Sequence, residues 1–302
     1  MKIDKVGLMT PGDMGQAIAM RIKDKGFTVC TALDSRSERS RMLAREAGLT
    51  DVGTIARLVA ECDAVLSIMN PGAALDFARE AATALRACAR KTLIVDCNAI
   101  APPTVREIAG MIEGVGGRFL DAGIIGAPPR GTGKTNLYVS GPGAADLGQI
   151  GGPQLNVFVV SERIGDASAL KMCSGALTKG TQVLWLEVLV AAQRLGIHGL
   201  LEQEVREGSR AGIHDWVLNQ FRILAPKAYR WVPEMQEVSK TLGAAGFTPK
   251  VFEGVANICS AVAGTALGNE SPEQNRAQGR SGAEIVRLLA QQPAGNMKGS
   301  EP

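Results

Sequence analysis

Seven short runs rich in β-branched residues, at 5–9, 28–32, 64–68, 92–95, 118–121, 136–139 and 157–160, are each bounded by Gly, Pro, Asn or Asp. Between them, stretches such as 15–25, 38–47 and 73–86 place apolar residues at three- and four-residue spacing. Short strands alternating with amphipathic helices build βαβ units, and hence a mainly parallel sheet covered by helices. After 166 the alternation stops. Residues 166–194 read as one long helix with Gly175 and Gly180 as tolerable interruptions, and 200–210, 216–223, 231–244 and 251–266 are helical in period with Gly or Pro between them. The expected architecture is an α/β domain over 1–163 and an all-α domain over 164–302, joined by the long helix. The polar, breaker-rich tail after about residue 290 is expected to be disordered.

Composition narrows the partners. With 45% apolar and 21% charged residues, 302 residues suffice for two cores, and extended disorder is excluded. Basic and acidic residues, 33 against 30, are interleaved, so no basic face for nucleic acid is expected. Cys30, Cys62, Cys88, Cys97, Cys173 and Cys259 lie far apart inside apolar runs without a C-x-x-C, which reads as buried thiols in a reducing compartment. The two histidines, His198 and His214, are read as lacking a carboxylate at helical or ligand spacing, so no metal is expected. The chain enters its first strand at once and contains no apolar run of the roughly 20 residues that span a bilayer. A soluble cytoplasmic protein with no membrane partner is expected.

The first strand runs into Gly7-Leu8-Met9-Thr10-Pro11-Gly12-Asp13-Met14-Gly15-Gln16-Ala17, and a helix follows immediately. Gly12 and Gly15 hold the second and third positions of G-x-G-x-x-G, with Thr10 where the first glycine belongs. Between a strand and a helix, such glycines let the backbone and the helix N-terminus meet the pyrophosphate of a dinucleotide. Thr10, Pro11, Gly12, Asp13 and Met14 are therefore candidate cofactor contacts in a Rossmann-type domain. At the end of the second strand the cues conflict. Asp34 suits the ribose hydroxyls of NAD, whereas Ser35, Arg36 and Ser37 suit the 2′-phosphate of NADP, and Ser37 can equally cap the next helix. NADP is the preferred reading. Gly131-Thr132-Gly133-Lys134-Thr135 imitates the end of a P-loop, but Pro128 stands where that motif requires glycine.

Lys171 lies near the start of the long helix, where the helix dipole does not favour a cation. Partly buried in a cleft, a lysine becomes a suitable general acid–base. Here the chain resembles the β-hydroxyacid dehydrogenase family, which includes 3-hydroxyisobutyrate and 6-phosphogluconate dehydrogenases. The resemblance rests on the glycine turn, on Asp96-Cys97-Asn98-Ala99-Ile100-Ala101-Pro102, on Asp121-Ala122-Gly123-Ile124-Ile125-Gly126-Ala127 and on Lys171-Met172-Cys173-Ser174. Residues 227–238 further resemble a helical domain of phosphogluconate-dehydrogenase-like oxidoreductases.

The resemblance implies hydride transfer between a nicotinamide and a β-hydroxy acid or related alcohol or carbonyl. Lys171 would be the acid–base, and Ser174 and Asn98 would orient the reacting oxygen. Met69, Asn70 and Asn98 would lie beside the cofactor, and Gly123, Ile124, Ile125, Gly126 and Ala127 would form a substrate loop. It also implies a homodimer through the helical domain, burying the apolar stretch 179–192. Three departures blur the substrate: Ile125 replaces a common serine, Ser174 a common asparagine, and Asn98-Ala99 a pair of small hydroxyl residues. The rivals are an imine reductase on the same fold and a non-catalytic cofactor-binding scaffold. Arg130 is a candidate for a substrate carboxylate, Glu187 for an ion pair across a subunit or domain contact, and Lys227, Tyr229 and Arg230 are second-tier candidates. Trp216, Tyr229 and Trp231 are expected to pack the helical core.

Overall fold

The computed structural model describes residues 1–88 and 92–293, so the tail expected to be disordered lies outside the described residues from 294 onward. In chain order the first part comprises β1 (Lys5–Met9), α1 (Asp13–Asp24), β2 (Thr28–Thr31), α2 (Glu38–Glu46), β3 (Thr50–Asp51), α3 (Ile55–Glu61) and β4 (Ala64–Ser67). It continues through α4 (Ala74–Ala87), β5 (Leu93–Asp96), α5 (Pro102–Glu113), β6 (Arg118–Gly126), β7 (Thr135–Ser140) and β8 (Leu155–Ser161). The sheet order is β3-β2-β1-β4-β5-β6-β7-β8, parallel except where β7 runs antiparallel to β6. This is the 3-2-1-4-5-6 order of a dinucleotide-binding fold with two strands added, and β1 lies at its switch point, between β2 and β4.

Strict alternation along the inner strands explains why both faces are covered. Val6 and Leu8 of β1, Leu66 of β4 and Val95 of β5 join Ile18 and Ile22 of α1 in one core. Met9, Val65 and Ile94, of opposite parity, join Leu58 of α3, Phe77 of α4 and Ile108 of α5 in the other. On β1 a Cβ at Gly7 would stand 2.9 Å from Val65 Cγ2, so glycine there lets α3 and β4 close onto the strand.

Within the sheet, two details depart from the sequence reading. β3 has two exposed residues and carries no hydrophobic signature of its own. The segment read as a loop after residue 121 is the second half of β6, because β7 pairs with it as far as Gly126↔Thr135.

The described chain ends in helices: α6 (Asp166–Gly175), a π-helical turn (Ala176–Gly180), α7 (Thr181–Arg194), α8 (His198–Glu207), α9 (Ala211–Leu224), α10 (Ala228–Ala244), α11 (Lys250–Ala263), α12 (Pro272–Gln278) and α13 (Gly282–Ala290). The long helix therefore carries a π turn between the two glycines, and a Cβ at Gly180 would stand 2.9 Å from the Phe252 ring. Trp231, Met235 and Val238 of α10 are buried together with Cys259 and Val262 of α11. Trp216 and Tyr229, expected in this core, are 38% and 56% exposed, and of the cysteines expected to be buried, Cys173 is exposed on α6 and Cys88 half-buried. The compact units divide at Met172/Cys173, later than the expected 163/164, because the first turns of α6 are bonded to the sheet as described below.

Candidate active site

β1 stops where Thr10 donates its N–H to the Ile68 carbonyl (3.0 Å), and Gly12 becomes the N-cap of α1. A Cβ on Gly15 would stand 2.2 Å from the Thr10 carbonyl oxygen, so only glycine lets α1 pack this closely on the turn. On Gly12 a Cβ would meet nothing within 4 Å. The turn Thr10-Pro11-Gly12, with Asp13 and Met14 at the start of α1, thus leaves an open approach to the first N–H groups of that helix, which fits a dinucleotide pyrophosphate. Asp13 places a carboxylate at this end, and Arg130 compensates it. The guanidinium donates to Asp13 Oδ1 (2.6 Å), the Asp13 carbonyl (3.1 Å) and Gln16 Oε1 (2.7 Å). Arg130, a candidate for a substrate carboxylate, is engaged instead in fastening the β6–β7 connection to α1.

At the end of β2, Ser35 adopts a left-handed conformation (φ 60°), and Ser37 caps α2 by accepting the Ser40 N–H (3.3 Å). The capping role of Ser37 is therefore real, whichever cofactor binds. Arg36 between them is half-buried and forms no ion pair among the described residues.

At the carboxyl ends of β4 and β5, Asn98 organises the next turn. Its Nδ2 donates to Ser67 Oγ (2.8 Å) and Asp96 Oδ2 (2.8 Å), its N–H to Asp96 Oδ1 (2.9 Å), and its Oδ1 accepts the Met69 N–H (2.7 Å). Asn98 was expected to orient the reacting oxygen, but it is 2% exposed and both amide hydrogens are taken. It fixes the Met69–Asn70 turn instead, where Asn70 caps by accepting the Gly72 N–H (3.1 Å).

Burial pushes the Asp96 carboxyl from 3.8 up to about 7, against the opposing hydrogen bonds from Asn98. Between those values the fold holds a proton that the unfolded chain has released. The site favours folding most below the unfolded value and loses that contribution as pH rises through about 7. Wild-type unfolding free energy should accordingly fall relative to Asp96→Asn from about pH 5 to about pH 8 in urea titrations. Parallel pH profiles would contradict this.

The lysine helix is held by a buried carboxylate. Asp121 of β6, 0% exposed, accepts hydrogen bonds from Ser140 Oγ (3.0 Å), Gly165 N–H (3.0 Å), Ser168 N–H (3.0 Å) and Ser168 Oγ (2.6 Å). Ser140 Oγ in turn accepts the Ala167 N–H (3.0 Å). Three donors at the start of α6, where backbone N–H groups have no intrahelical partner, are thereby satisfied from the sheet. Burial still raises the Asp121 pKa, opposed by the bonds from Ser168, Ser140 and Gly165. One turn beyond Ser168 comes Lys171, half-buried, and its Cβ stands 2.9 Å from where a Cβ on Gly123 would be. Gly123 of β6 thus gives the lysine backbone room to lie against the strand.

Along β6, Ile124 is 7% exposed, Ile125 is half-buried, and Gly126 (φ 132°) and Ala127 are exposed at the strand end. Ser174 lies three residues past Lys171 on α6 and is half-buried.

The remaining candidates separate. Glu187 is exposed on α7 and forms no ion pair among the described residues, while Tyr229 and Arg230 are exposed and Lys227 half-buried. Contrary to the sequence reading, both histidines have nearby carboxylates: His198 Nε2 faces Glu202 Oε2 at i+4 (3.8 Å), and His214 Nδ1 faces Asp215 Oδ1 (3.5 Å). No group of three potential metal ligands occurs among the described residues, and no described helix is long and apolar enough to cross a membrane. The Asp121 clasp and the Arg130–Asp13 link were missed. A carboxylate inside the apolar run Phe119-Leu120-Asp121-Ala122 was the available signal for the first.

Residues 5–146 match the family described as the NAD binding domain of 6-phosphogluconate dehydrogenase, and residues 192–262 match a domain of unknown function, DUF1932. An uncharacterized 28.5 kDa protein of Methanothermus fervidus is 30% identical over 68% of this chain and 78% of its own length. A conserved protein of unknown function, whose structure is described as similar to 3-hydroxyacid dehydrogenases, is 30% identical with a TM-score of 0.63, over 85% of this chain and 97% of its own. The 3-hydroxyisobutyrate dehydrogenase of Mycobacterium tuberculosis shares the fold at 16% identity, with a TM-score of 0.66 over 95% of this chain and 99% of its own. With relatives matched over most of their length and a nucleotide-domain match that begins at β1, the chain is a member of the β-hydroxyacid dehydrogenase family, and so an NAD(P)-dependent oxidoreductase.

Proposed function

We propose that this oxidoreductase interconverts a β-hydroxy acid, or a related alcohol, and its carbonyl, with Lys171 as the general acid–base. The observation that carries the reading is the seating of Lys171 against Gly123 by a helix whose first turn is bonded to buried Asp121. When bound, the nicotinamide supplies the hydride acceptor or donor. Lys171 then takes the proton from the substrate hydroxyl in oxidation, or returns it to the carbonyl oxygen in reduction. Ser174, with a short hydroxyl, would orient that oxygen, and the exposed backbone of Gly126 and Ala127 would receive an anionic group. Ile125 makes this pocket more apolar than a serine would, so the reading includes substrates bulkier than three- or four-carbon hydroxy acids.

The preferred cofactor is NADP, because Arg36 lies between two serines without a carboxylate partner among the described residues. Arg36→Ala is expected to weaken NADP binding about 10- to 100-fold and leave NAD within about twofold in fluorescence titrations. An equal loss for both cofactors would refute this assignment.

A homodimer through the helical unit belongs to the same reading. α7 exposes Leu184 and Val188 (57% and 45%) beside a groove of about 780 Å³ that includes Val251 and Phe252. The reading as a whole is tested by screening hydroxy acids, carbonyls and imines with the preferred dinucleotide, following transfer of the C4 deuterium of the reduced cofactor. Label appearing at the carbinol carbon supports it. Turnover of imines alone would give the chemistry to C=N reduction.

A further inference from the structure

We propose that the helical unit carries a binding site for a small phosphorylated metabolite, separate from the residues assigned to hydride transfer. A cavity of about 380 Å³ opens between α9, the residues that follow it, and α12. Arg222, Lys227, Arg276 and Arg280 line it together with the amides of Asn219 and Asn275, and among the described residues no carboxylate does. In a chain with 33 basic and 30 acidic residues, this is a marked local excess of one sign.

The cavity is partly organised in advance. Glu270, which does not line it, accepts from Arg280 Nη1 (2.8 Å) and from Asn275 Nδ2 (3.2 Å), holding a guanidinium whose side chain is 18% exposed and an amide whose residue is 7% exposed. Glu270 offsets the charge of Arg280. Arg222 and Arg276 are exposed and form no ion pair among the described residues, so two uncompensated guanidinium groups face the same space. Two planar forks match the oxygens and the charge of a phosphoryl dianion. The volume suits a few-carbon phosphate ester or a diphosphate and is too confined for a nucleic-acid groove or a membrane surface.

Isothermal titration of the full chain with inorganic phosphate and with pyrophosphate tests this, comparing wild type with the Arg222→Ala/Arg276→Ala double variant. Binding at the nucleotide turn contributes equally to both proteins, so their difference reads this cavity. The double variant should lose a binding event, with affinity falling about 30-fold or more, and Arg222→Lys/Arg276→Lys should recover part of it. Identical titrations, or no event in wild type up to about 10 mM, a limit at which binding is worth under about 3 kcal/mol, would overturn the proposal. A variant that fails to bind but has also become monomeric by sedimentation would overturn it too, assigning the cavity to acidic side chains of a second copy. Because the readout is anion binding and not turnover, failure here leaves the assigned reaction untouched.

Discussion

Replacing Lys171 with alanine is expected to lower kcat by about 10²- to 10⁴-fold while dinucleotide affinity stays within about twofold. The size is that of a lost general acid–base, and the selectivity follows from the geometry. The residues assigned to the dinucleotide by this reading, from Thr10 to Met14 and from Ser35 to Ser37, lie on the β1–α1 turn with the start of α1 and on the β2–α2 turn, and Lys171 is on α6. Alanine keeps the Cβ that already fits against Gly123, so it introduces no overlap. Steady-state kinetics and fluorescence titration of the cofactor separate the two quantities. Unchanged kcat would refute the acid–base role. A parallel collapse of cofactor binding would make Lys171 part of the nucleotide site.

Asp121→Ala is expected to destabilise the first unit by about 3–5 kcal/mol, because it strands buried donors on two elements at once. Ser140 Oγ, Gly165 N–H, Ser168 N–H and Ser168 Oγ lose their acceptor, and water cannot replace it at a residue that is 0% exposed. Asp121→Asn keeps the shape and one acceptor oxygen but turns an amide toward the donors, so it should remain folded with α6 displaced. In that variant kcat should fall at least about tenfold with the dinucleotide dissociation constant nearly unchanged, the signature of a residue that positions Lys171. Urea unfolding measures the first effect and kinetics the second. A folded Asp121→Asn protein with wild-type kcat would show that the clasp serves stability alone.

Local patterns were legible where local physics decides the outcome. β1 matches its expected span residue for residue, and the β2, β4 and β5 spans differ by one residue at most at either end. Inner strands covered on both faces are continuous apolar runs, and Gly15 announces a helix packed on a turn. β3 escaped because two exposed residues carry no periodic signal. β6 was read short because its second half is a strand only by virtue of β7, which returns to it antiparallel.

The candidate site was legible by residue type more than by role. Asn98 and Arg130 have the chemistry of ligand-binding residues. Their partners, Ser67 and Met69 for one and Asp13 and Gln16 for the other, are distant in sequence and come close only in the folded sheet. The same holds for Asp121, whose donors come from β7 and from the approach to α6, up to 47 residues away. Nothing in the spacing of these residues could have paired them.

The acid–base role of Lys171 depends most directly on where its amine lies when the enzyme is loaded. A crystal structure with NADP and a substrate found by the screen should place Lys171 Nζ within about 3.2 Å of the reacting oxygen, and the nicotinamide C4 about 3–3.5 Å from the carbon that bears it. An amine turned into bulk solvent, or separated from the ring by packed side chains, would contradict it.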